Sequence, residues 1–114
     1  MSELHFLKKP YHSEGLTDKA AEKYCRTLAR GWLYGNKVAI CLAITESDEL
    51  DIIYFREIRG PKSRDAKYMI VGVAKDDNDA LEVVKIIVQD VLDKTGEPKI
   101  KQYFNKKNCF KNSF

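Results

Sequence analysis

Apolar residues recur along the chain on two different periods, and the changes of period mark out its elements. From Asp18 onward, Ala20, Ala21, Tyr24, Cys25, Leu28 and Trp32 return at three- and four-residue steps, while Asp18, Lys19, Glu22, Lys23, Arg26 and Arg30 fill the other face. That spacing predicts an amphipathic helix from about Asp18 to Leu33. Thr17 is a good N-cap, and Asp18 behind it suits the positive end of the helix dipole. Gly31 costs a helix about 1 kcal/mol relative to alanine, so the helix loosens there or admits a close backbone. Gly35 is the expected left-handed cap.

Val38 to Ile44 are apolar on both parities, as befits a central strand covered on both faces. Glu46, Ser47, Asp48 and Glu49 form a polar tetrapeptide suited to a hairpin loop. Leu50 to Phe55 resume with aromatic and β-branched residues, the mark of a second strand. Gly60-Pro61 punctuates the basic stretch that follows, and Lys67 to Ala74 read as a third strand in which Gly72 marks a bulge or a close approach. Asp76, Asp77 and Asp79 open a second helix that Gly96 and Pro98 stop. Ala80, Leu81, Val83, Val84, Ile86, Ile87, Val88, Val91 and Leu92 make most of its circumference apolar. So broad a surface requires deep burial against the sheet or pairing with a second copy of the chain.

These elements predict a two-layer α+β domain of order α-β-β-β-α over residues 17–96, with an antiparallel three-stranded sheet and both helices on one face. Residues 1–16 are expected as an arm or edge strand, and 97–114 as a basic, aromatic tail with a short strand over 99–104. One such addition would bring the sheet to four strands, and both to five. The same element order occurs in double-stranded-RNA-binding domains, whose second helix starts on a lysine-rich cluster. Asp76, Asp77 and Asp79 stand at that place here and would repel phosphate.

Composition sharpens the picture in a few respects. At 114 residues, with 44% hydrophobic and 32% charged side chains, the chain has the makings of one globular domain. Its longest apolar run is far below the roughly 20 residues that span a bilayer, and no secretory signal opens it, so a cytoplasmic location is expected. Three cysteines without a C-x-x-C spacing fit a reducing compartment; Cys25 and Cys41 read as small buried hydrophobes. His5 and His12 have no partner at metal-ligand spacing.

The formal charge of +3 conceals segregation: −1 over residues 1–55, +4 over 56–75, −4 over 76–96 and +4 over 97–114. Two function classes follow. Asp76, Asp77, Asp79 and Glu82 form an acidic patch at a helix start, able to engage a basic protein partner. Alternatively, Arg56, Arg59, Lys62, Arg64 and Lys67, with Lys101, Tyr103, Lys106 and Lys107 of the tail, could grip nucleic acid through charge and ring stacking. Patches of both signs suit a protein surface better than a polyanion. No phosphate loop, nucleophile motif, cofactor fingerprint or calcium-loop spacing is present, so the expectation is a non-enzymatic protein-binding module without metal or cofactor. Small regulators or inhibitors of larger nucleic-acid-handling machines, such as mobile-element or phage counter-defence factors, are built in this manner.

Overall fold

A strand that is apolar on both parities must be covered twice, and the strand at Val38–Leu42 has all five residues buried. The computed structural model describes residues 3–31, 35–42, 49–58, 67–107 and 110–111. In chain order the elements are β1 (Glu3–Tyr11), α1 (Asp18–Ala29), β2 (Val38–Leu42), β3 (Leu50–Tyr54), α2 (Phe55–Ile58), β4 (Lys67–Ala74), α3 (Asp77–Thr95), α4 (Ile100–Lys107) and β5 (Phe110–Lys111). Among the described residues they form an α+β domain around one five-stranded sheet of order β3-β2-β4-β1-β5.

Two features of the expected architecture are corrected. First, the sheet is mixed. β2 is antiparallel to both β3 and β4, but β1 runs parallel to β4. β3 and β4 therefore point the same way on either side of β2, so the chain between them crosses over and does not make a hairpin. Phe55 and Ile58 begin that crossover as α2, both buried at helical spacing immediately after Tyr54. Second, the helices do not share a face. Val38, Ile40 and Leu42 point into one apolar cluster with Ala80, Val83, Ile87 and Val91 of α3 and Phe104 of α4. Ala39 and Cys41, of opposite parity, join another with Ala21, Cys25 and Leu28 of α1 and Phe55 and Ile58 of α2. The fully buried β2 is covered on both sides because its sequence allows no polar face.

The ends of the chain also differ from expectation. β1 is no edge strand, since β4 flanks it on one side and the two-residue β5 on the other. Residues 99–104 do not form a strand; Ile100, Tyr103 and Phe104 are buried at three- and four-residue steps, the period of α4. α1 stops short of Leu33, with Arg30 as C-cap and Gly31 in the left-handed region at φ 79°. α3 follows expectation, from its N-cap Asp76 to the left-handed Gly96 at φ 75°. His12 bonds Asp18 at 2.6 Å in the first turn of α1. Burial draws its imidazole down, but that bond and one to the Ser13 carbonyl outweigh burial and leave it above the ordinary range.

Gly72 lies where three elements meet. A Cβ there would sit 3.0 Å from Val83 Cγ1 and 3.1 Å from the Tyr11 carbonyl oxygen. The register slips on both sides: Ile40 pairs with Gly72 while Cys41 pairs with Ile70, and on β1 Phe6 pairs with Ile70 while Tyr11 pairs with Gly72. Because one obstructing atom is backbone, Gly72→Ala is expected to cost about 1–3 kcal/mol, read as a lower urea midpoint at unchanged slope.

Burial also silences two thiols. Loss of solvent pushes Cys25 up to about 12 and Cys41 higher still. Peptide mapping after brief treatment with a thiol reagent at pH 8 should find both unmodified in the native protein and both modified in urea.

Candidate protein-binding surface

The acidic start of α3 divides its carboxylates between two tasks. Asp76 accepts a hydrogen bond from the Asp79 backbone N–H at 2.9 Å, and Asp79 accepts one from the Lys75 N–H at 3.1 Å. This reciprocal arrangement satisfies donors that the first turn of a helix leaves orphaned. Asp79 is accordingly buried at 8% exposure. Asp77 faces outward across the sheet and accepts from the Tyr54 hydroxyl, which holds that phenol above its ordinary range. Glu82 is exposed one turn further on. Of the four acids expected to meet a partner, two are therefore capping groups and two belong to the surface.

The Tyr54–Asp77 bond fixes what lies beside those acids. α3 folds back over the sheet, as the contact of Val83 with Gly72 requires, so it runs antiparallel to β4 and β3. Leu50 and Tyr54 pack on the α3 side of the sheet, and strand alternation gives Ile52 the same side. One helical turn beyond Asp77 comes Leu81; two residues back from Tyr54 comes Ile52. These steps are about 6 Å on the helix and about 6.6 Å on the strand, so the two residues stand at a similar height along the sheet. Ile52 at 39% and Leu81 at 56% are the large hydrophobics left exposed among the described residues. β3 is also an edge of the sheet, with β2 on one side and no strand on the other among the described residues. Asp77 and Glu82 border the apolar pair, and the Arg56 guanidinium lies 4.3 Å from the Tyr54 ring centre.

The basic residues are not assembled in the same way. Arg56 follows Tyr54, which is level with Val38 and Ala74, whereas Lys67 opens β4 at its other end. Seven residues of strand, roughly 23 Å, separate those levels. Arg59, Lys62 and Arg64 lie outside the described residues. Tyr103 is a core residue at 9% exposure, its ring 5.1 Å from that of Phe104, and Lys101 is half-buried on α4. Lys106 and Lys107 end α4, with their side chains outside those described.

Sequence reasoning located the acids but missed Ile52 and Leu81. Leu81 had a signal in the apolar circumference of α3, which exceeds what one sheet face can cover; Ile52, on β3, had none. Burial against the sheet and α4 accounts for Ala80, Val83, Ile87 and Val91, and Leu81 is left over. Among the described residues, no three His, Cys, Asp or Glu side chains are grouped to hold a metal ion, and no helix is long and apolar enough to cross a membrane. The chain matches no protein-family model, no curated protein and no solved structure at a significant level.

The capping geometry determines how the surface can be probed. Asp76→Ala should lower stability by about 1 kcal/mol in a denaturant titration, through loss of the cap. Glu82→Lys, on the exposed face, should leave the midpoint within about 0.5 kcal/mol of wild type.

Proposed function

We propose that this chain is a protein-binding module whose docking surface is the edge strand β3 together with the exposed Ile52 and Leu81. What supports this reading is that the two large hydrophobics exposed among the described residues, Ile52 on the edge strand β3 and Leu81 on α3, flank the Tyr54–Asp77 bond, with Asp77 and Glu82 beside them in sequence. An edge strand offers main-chain donors and acceptors to an added strand, while adjacent apolar side chains supply the desolvated centre that interfaces need. The acids favour a partner segment with basic residues flanking an apolar one. In this reading the chain acts by occupancy: it regulates or inhibits the protein it covers.

The test is capture from the source cell with tagged wild type and with Ile52→Glu plus Leu81→Glu. Wild type should retain a stoichiometric partner, and the double variant should lose it by at least about 30-fold in affinity, the scale of an interface hot spot. Both positions are exposed, so circular dichroism should be unchanged. Equal capture by both proteins would overturn the reading. Sedimentation of the isolated chain as a dimer that the same variant dissolves would assign the surface to a second copy and not to a foreign partner.

A further inference from the structure

A second concave region lies at the far end of α3, where β1 departs from regular pairing. Between Phe6 and Tyr11 the first strand advances five residues while β4 advances only two, from Ile70 to Gly72. Within the surplus, Leu7 pairs with Phe110 of β5 and Pro10, which has no N–H to donate, is buried, while Lys8 and Lys9 between them are exposed. They border a cavity of about 470 Å³ whose other lining residues are Leu7, Tyr11, Asp90, Lys94, Tyr103 and Phe104.

The walls are organised. The Tyr11 hydroxyl donates to Asp90 Oδ2, and Lys94 Nζ donates to the same oxygen at 3.1 Å. Hydrogen bonds to Asp90 and then to Tyr103 hold the Lys94 ammonium above its ordinary range. The Tyr11 and Phe104 rings meet edge-to-face at 6.0 Å, as do those of Tyr103 and Phe104 at 5.1 Å. Tyr11 thus forms a half-buried aromatic wall over a floor made by Tyr103 and Phe104. With Asp90 already serving Lys94, the positive charge of Lys8 and Lys9 at the mouth has no opposing carboxylate in the lining. The volume is ordinary for a small-molecule site.

We infer that this cavity binds a nucleotide unit, with the base against Tyr11 and the phosphate between Lys8 and Lys9. A planar ring gains stacking on an aromatic wall, and a phosphate gains the two ammonium groups at the mouth. This site is separate from the β3 edge and does not depend on the protein-binding reading. The shared chemistry, base plus phosphate, is available from a free mononucleotide or from the end of a nucleic-acid strand.

The test is titration calorimetry of the full chain at low salt with nucleoside monophosphates, the matching nucleosides, ribose 5-phosphate and a short oligonucleotide with or without a 5′-phosphate. A monophosphate or the 5′-phosphorylated oligonucleotide should bind at least 10-fold tighter than nucleoside or ribose 5-phosphate. Binding of the monophosphate assigns a free ligand, and binding of the phosphorylated end alone assigns a strand terminus. Lys8→Ala plus Lys9→Ala, both at exposed positions, should weaken binding at least 10-fold and reduce its salt dependence. Tyr11→Leu should weaken it similarly while ribose 5-phosphate is unaffected; should that variant unfold, the lysine pair and the ligand comparison still decide. The inference is overturned if neither nucleotide ligand binds at millimolar concentration. It is equally overturned if the lysine variant binds as wild type does, or if the oligonucleotide binds irrespective of its phosphate.

Discussion

Val38 to Leu42 are closed to water on both sides, and most of the architecture follows from that constraint. A strand without a polar face must lie inside the sheet and carry a layer on each side. Val38, Ile40 and Leu42 require α3 and α4; Ala39 and Cys41 require α1 and α2. Once β2 is central, β3 is left on the outside, and its partly exposed Ile52 becomes a surface feature.

Local structure was legible in the sequence to the extent that local physics decides it. The capping residues Thr17 and Asp76, the left-handed Gly96 and the span of β4 were all readable from residue type and spacing. What sequence could not supply was the pairing. A period of two says that a strand has faces, but it does not say which strand lies beside it. The parallel alignment of β1 with β4 depends on contacts between distant residues, and only the apolar parity of β2 hinted that helices would occupy both sides. The tail failed for a different reason: Ile100, Tyr103 and Phe104 fit a short strand or two helical turns equally well, and packing onto the α3 layer chose the helix.

The acids show how one residue type serves two ends of the same argument. Asp76 and Asp79 are drawn inward by backbone N–H groups, a demand that any helix start makes. Asp77 and Glu82, on neighbouring positions of the same turns, remain available to the surface. The net charge of the segment is therefore a poor guide to the field a partner would meet. The basic block is diluted for a geometric reason, because the crossover after β3 carries its first and last members to opposite ends of the sheet.

The place of β4 between β2 and β1 also bears on how the molecule is made. Glu3 pairs with Lys67 and Phe6 with Ile70, about sixty residues apart in each case. While a ribosome delivers the chain, β1, α1, β2 and β3 emerge before the strand that joins them, and β1 has no neighbour until β4 inserts. Closing so large a loop is entropically slow, and until then α1 is at hand to pack on Leu4 and Phe6 of β1. The strand pairs of β1 therefore cannot form until the C-terminal half of the chain has been made.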